Sequence, residues 1–286
     1  MIELIVNIGL SKDIEKGRQI IYENLNNKKV KIQEEVQGNI TFFHIALVKN
    51  KALSKKEFYS DIANVILDII FNIYSVEAVY KKIYGDSNYI KTQDKDEIAR
   101  ISKEILLDKD NFFLEKEQMH NQIKDYIIEN STIYIDGFIR FRIKEFGLFM
   151  DLVVDRSIDE FTLEKEYKEF IKILQYFVDV QEPKYNLINL IFEGSDYKLL
   201  DEQDNVIDKD FFSEIVNEID SNGISKEDLL ISTLIVLAPK KIILHLDELN
   251  QKEDLVKIIS NVFQDRSYFC FGCDKCSGKT KIKRGK

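Results

Sequence analysis

Apolar residues at Ile2, Leu4, Val6 and Ile8 alternate along the start of the chain and predict a strand. Ser11 or Asp13 then opens a helix to about residue 24, with Ile14, Ile21 and Leu25 on its inner side. Residues 30–36 and 40–48 read as two strands around Gln37-Gly38-Asn39, so residues 1–50 predict a small β-α-β-β unit. No Gly-rich phosphate loop accompanies it.

From Ser54 the period changes from two to between three and four. Ser54 and Glu57 form a capping box, and Phe58, Ile62, Val65, Ile66, Ile69, Ile70 and Ile73 make a wide apolar helical face as far as Gly85-Asp86. A second helical stretch covers about residues 94–130, interrupted near Leu107-Asp108. Ile139, Ile143, Phe146, Met150 and Val153 predict one helix, and Ser157 to Glu160 a capping box that begins another. That next helix carries Leu163, Tyr167, Phe170, Leu174 and Phe177 before Pro183 stops it, so the two are expected to pack as an antiparallel pair.

After Pro183 short strands return. Residues 187–192 and 197–200 flank a hairpin signal, and residues 211–219 form a short amphipathic helix. Ser225 caps a further helix to about Leu237. A strand at 241–246, a helix at 251–263 and a strand at 266–271 follow. The predicted class is α/β or α+β, with small mixed-sheet units at both ends and a largely helical middle. The expected divisions are 1–50, 51–183 and 184–286, the last ending in a cysteine cluster and a basic tail.

With 44% hydrophobic and 32% charged residues over 286 positions, the chain has material for a buried core. A formal charge of −9 disfavours coating of nucleic acid by the whole surface, which needs a positive field. The N-terminus lacks the pattern of a secretory signal. Unbroken apolar runs fall short of the roughly 20 residues that span a bilayer. No transmembrane segment and a reducing, cytoplasmic compartment are therefore expected, where clustered cysteines are ligands or redox groups rather than disulfides.

The only cysteines, Cys270, Cys273 and Cys276, stand at C-x2-C-x2-C spacing. Zinc takes four ligands and favours thiolate sulfur, so three cysteines leave one position open. His245 is the best fourth ligand: a crossover from the 241–246 strand to the 266–271 strand sets the carboxyl ends of both on one sheet edge. Asp274, water or a second subunit are the alternatives. An iron–sulfur cluster is less favoured, because Thr280 and Lys281 stand where a ferredoxin run carries its next Cys and Pro. Thioredoxin-like chemistry is less favoured again, since neither C-x2-C leads into a helix that would lower a thiol pKa.

Other polar groups offer weaker signals. The tail at 275–286 holds six Lys or Arg, while residues 193–228 hold twelve Asp or Glu and three Lys. Nucleic acid is an unfavoured partner for the tail, which also suits an acidic surface of this protein or of another. Arg140, Arg142 and Lys144 beside Phe138 and Phe141 read as a packed helix surface, with Arg142 expected to pair with a carboxylate. His44 and His120 have no Ser or Cys near them in sequence, and no hydrolase or nucleotide-binding motif is present. Enzyme activity is disfavoured.

Several stretches together resemble the YtxC-like sporulation proteins of endospore-forming bacteria. They are Asp136-Gly137-Phe138-Ile139-Arg140-Phe141-Arg142, Glu164 with Glu166 and Tyr167, Gln181-Glu182-Pro183, and Leu237-Ala238-Pro239-Lys240 with His245 and the three cysteines. The resemblance implies a cytoplasmic, sporulation-associated protein with no reaction assigned to it. The reading is of a structural or interaction component, self-associating or bound to a protein partner, with a zinc knuckle at its C-terminus. A metal- or thiol-dependent enzyme and a nucleic-acid binder are the alternatives.

Overall fold

The computed structural model describes residues 4–26, 29–48, 54–86, 90–193, 196–207, 225–246, 253–270 and 272–275. Its contacts divide the chain into two compact units, Met1–Leu163 and Glu164–Lys286. Mixed sheets lie toward both ends of the chain and the stretch between them is helical, as the sequence predicts.

The first unit begins with β1 (Ile5–Leu10), α1 (Ile14–Leu25) and a hairpin of β2 (Val30–Gln37) and β3 (Ile40–Leu47). Ser54 then accepts from the Glu57 N–H while the Glu57 carboxylate accepts from the Ser54 N–H, and this capping box starts α2 (Lys55–Ile69). Two π-helical turns, Ile70–Ser75 and Lys82–Asp86, flank α3 (Val76–Lys81). The interruption near Leu107 separates α4 (Lys95–Leu107) from α5 (Phe113–Asn130).

Pairing runs in the order β2-β3-β1-β4, where β4 (Thr132–Tyr134) lies parallel to β1 and the other pairs are antiparallel. One face of the sheet buries Val6, Ile8, Leu10, Phe43 and Ile45. They share a core with Phe58, Ile62, Ile66 and Ile69 of α2 and with Ile123 and Ile127 of α5. β4 is absent from the sequence reading, because only its Ile133 is buried and three residues give no alternation to detect. The Asn7 N–H donates to the Ser131 carbonyl at 2.9 Å where the two strands meet. Gly9 leaves space for the flanking rings: a Cβ at that position would stand 2.8 Å from Phe42 Cε1 and 3.2 Å from Tyr134 Cδ2.

The helices beyond β4 differ from expectation. α6 (Ile135–Arg142) stops where Ile143 leaves helical geometry, at φ −93° and ψ 79°, so Ile139 and Ile143 do not share a helix with Phe146. A single 35-residue helix, α7 (Phe146–Val180), then replaces the predicted antiparallel pair. Ser157 is buried in its interior and donates to the Val153 carbonyl rather than capping a helix. A hydroxyl bonded four residues back remains compatible with helix, and the capping-box spacing is fortuitous.

α7 contributes residues up to Leu163 to the first unit and the remainder to the second. There follow β5 (Ile188–Glu193), β6 (Asp196–Leu200), α8 (Lys226–Leu237), β7 (Ile242–His245), α9 (Glu253–Phe263) and β8 (Ser267–Phe269). The sheet order is β6-β5-β7-β8, antiparallel at β5–β6 and parallel elsewhere. Ile188, Leu190, Ile242 and Leu244 form a second core with Leu230, Leu234, Ile259 and Phe263, and α7 adds Ile171 and Val178. The predicted helix at 211–219 lies outside the described residues.

One helical stretch among the described residues, Lys55–Gly85, is long and apolar enough to cross a membrane by length and composition. Of its apolar window, 61% is buried inside the protein, which is how a core helix reads.

Candidate metal centre

The second unit brings three ligating side chains together at the carboxyl edge of its parallel strands. β7 ends at His245, which is 4% exposed, and β8 runs parallel beside it. The Cys270 N–H donates to the Leu244 carbonyl at 2.9 Å, so the pairing continues one residue past β8 and sets Cys270 next to the histidine. Gly272, at φ 111°, then takes a conformation disfavoured for other residues, and the chain turns back to bring in Cys273.

The ligand atoms of His245, Cys270 and Cys273 all lie within 4.8 Å of one another, and Cys273 Sγ is 3.4 Å from His245 Nδ1. Cys270 is half-buried and Cys273 exposed, and neither is in a disulfide. One imidazole nitrogen and two sulfurs at this separation can hold a metal ion, and the donor set suits zinc. Cys276 lies outside the described residues. Asp274 is exposed and does not join the group.

The other imidazole nitrogen is already committed. His245 Nε2 is 3.0 Å from Asn189 Oδ1, where it donates and leaves Nδ1 with a lone pair toward the thiols. Asn189 is buried in β5, and its own amide donates to the Asp201 carbonyl. The Asp201 carboxylate accepts from the backbone N–H of Gln203 and Asn205 and so closes the 201–205 turn. Asp204 on that turn pairs with Lys275, two residues after Cys273. One turn thus supports the site from both sides. Burial, reinforced by the Lys275 charge and opposed by Asp204, holds the His245 pKa below its ordinary value, which keeps the ring neutral and able to ligate.

These outer partners escape sequence reading. Asn189 is 56 residues from His245, and a lone Asn in an apolar strand gives no signal of its role. The Lys275–Asp204 pair has a trace in the basic tail at 275–286 and the acidic stretch at 193–228, although the rest of the tail lies outside the described residues.

The remaining predicted positions do not gather at this site. In the first unit Asp136 accepts from Ser11 and, at 2.9 Å, from the Tyr74 hydroxyl, tying α6 to the end of β1. Gly137 leaves room for the Tyr134 ring, and Phe138 is buried. Arg142 has no carboxylate partner among the described residues, contrary to expectation. Its guanidinium stands 5.6 Å from the centre of the Tyr126 ring, while Arg140 and Phe141 are exposed. Glu164 pairs with Lys168 one turn on, Glu166 is exposed, and the Tyr167 hydroxyl accepts from Asn261 of α9. Gln181, Glu182 and Pro183 follow the end of α7. His44 contacts Asn7 and Glu35, and His120 contacts the Ser60 carbonyl, so neither faces a thiol.

The YtxC-like family model matches residues 60–267, most of the chain, and the protein belongs to that family. A relative from Bacillus subtilis (strain 168), carrying the name "Uncharacterized protein YtxC", is 26% identical over 157 residues. That alignment covers 53% of this chain and 53% of the relative, so the match spans about half of each. No solved structure matches the chain at a significant level.

Proposed function

We propose that this protein is a cytoplasmic, sporulation-associated interaction component whose second unit is fastened by zinc. His245 Nδ1, Cys270 and Cys273 are three of the ligands, and Cys276, by its spacing in the sequence, supplies the fourth ligand and third thiolate. The observation that carries this reading is the convergence of a neutral, Asn189-oriented imidazole with two of the three cysteine thiols of an acidic chain. The sporulation context rests on the family resemblance. The interaction role draws support from exposed apolar side chains at helical spacing, Phe170, Ile173, Phe177 and Val180 on α7.

Metal analysis of protein purified without added metal tests it, paired with Cys273→Ser. Near-stoichiometric zinc, and a lower melting temperature in the variant, are expected because structural zinc contributes folding free energy. Less than about a tenth of an equivalent of metal, with unchanged melting, sinks the zinc assignment.

The 3.4 Å approach of Cys273 to His245 also favours a second reading, a thiol-dependent enzyme with His245 as base. Metal-free protein whose Cys273 is alkylated by iodoacetamide with a thiol pKa below the ordinary value of about 8.5 would favour it over zinc.

A further inference from the structure

Among the described arginines, Arg18, Arg100, Arg156 and Arg266 each close on a carboxylate. Arg140 and Arg142 do not, in a chain where Asp and Glu outnumber Lys and Arg by 50 to 41. Between them Phe141 is 72% exposed. Lys144, two residues after Arg142, is exposed and also lacks a carboxylate partner among the described residues. Arg142 lies over the Tyr126 ring, which leaves the N–H donors at its edge for a further partner. Two arginines flanking an exposed Phe in the sequence have the composition of a binding hot spot, whereas an isolated solvated arginine needs no partner.

A cleft of about 240 Å³ opens beside this turn, with Arg142 and Lys144 in its lining. The nearly buried side chains Met119, Ile143 and Phe149 also line it, together with the amides of Gln118 and Gln122. That volume falls below the roughly 300–1,000 Å³ of small-molecule sites and suits one inserted side chain. Glu115 and Glu145 complete the lining. The lining thus sets two cations beside two carboxylates. This mixed pattern matches a peptide, whose acidic side chains meet the cations while its backbone N–H groups donate to the carboxylates, better than a phosphate chain or an anionic bilayer of one sign throughout.

We propose that the turn from Arg140 to Lys144, with the cleft beside it, docks an acidic segment of a partner protein that inserts one bulky apolar side chain. The guanidiniums take the partner's carboxylates through paired N–H donors, Phe141 packs on its apolar surface, and Met119, Ile143 and Phe149 receive the inserted group. The proposal rests on the interaction reading above but not on the metal.

The test uses the full chain against a phage-displayed library of random dodecapeptides, followed by fluorescence anisotropy with an enriched peptide. Enrichment of acidic peptides carrying a Leu, Phe or Trp is expected. R140E/R142E should weaken the enriched peptide at least about tenfold and Phe141→Ala by about tenfold, as loss of hot-spot contacts does. Cys273→Ser should leave the affinity unchanged, which separates this site from the zinc assignment. Failure to enrich acidic peptides, or binding indifferent to R140E/R142E, overturns the proposal. So does Arg140- and Arg142-dependent binding of oligo-dT or of phosphatidylglycerol vesicles in place of peptide, which would reassign the turn to nucleic acid or lipid.

Discussion

Asn189 contributes no metal ligand, yet it decides which histidine nitrogen is free to become one. Asn189→Leu keeps a similar volume and removes the acceptor. Zinc affinity, read by competition with a chelator, should fall about 10- to 100-fold, as it does when the outer partner of a ligating histidine is lost. In the first unit Tyr74 is the residue to watch. Its phenol is 7% exposed, and burial first, then the Asp136 charge and hydrogen bond, push its pKa above the ordinary tyrosine value. The folded protein therefore keeps a proton that the unfolded chain releases near pH 10. The associated stability is complete below that pH and is lost as pH rises above it. Tyr74→Phe should flatten the alkaline limb of the stability profile, measured by urea unfolding between about pH 8 and 11, at a cost of about 1 kcal/mol at pH 7 for the lost hydrogen bond.

At the level of elements, two serines with the same sequence signature have opposite roles. Ser54 caps α2 and Ser157 lies inside α7. Ser54→Ala should destabilise the protein by about 1 kcal/mol, whereas Ser157→Ala should be neutral or slightly stabilising because alanine is the better helix former. Chemical denaturation of the two variants checks both. The contrast marks what was legible in the sequence. α1, α2, the two hairpins and the β7–α9–β8 crossover announce themselves through periodicity and turn residues, and with the crossover comes the meeting of His245 with Cys270. The continuity of α7 was hidden because S-x-x-E is only a local signal, and the apolar face changes across it, from buried Met150 and Val153 to the exposed Leu163, Phe170 and Phe177. β4 and Asn189 were hidden for another reason: each is defined by a partner more than fifty residues away.

At the scale of the whole molecule, the described residues form two hydrophobic cores, one built from Val6 to Val154 and the other from Ile171 to Phe263. Calorimetry is therefore expected to resolve two transitions rather than one. Chelation of zinc should lower only the transition of the second unit. Phe43→Ala, which removes a fully buried ring from the first, should lower the other by about 3–5 kcal/mol. A single transition that shifts under both treatments would contradict this division.

The parallel pairing of Asn7, Ile8 and Gly9 with Thr132, Ile133 and Tyr134 also sets an order of events during synthesis. β1 is made early, but the strand that covers its second edge arrives about 125 residues later, as does Asp136, which fastens Ser11. At about 5–20 residues per second, the nascent chain carries that uncovered edge for roughly 6 to 25 seconds. Over that interval the N–H and C=O groups of residues 5–10 can pair with any strand that meets them. Misassembly of the newborn protein should concentrate there, and a trigger-factor-type holdase that binds the first fifty residues should raise the yield of folded chain.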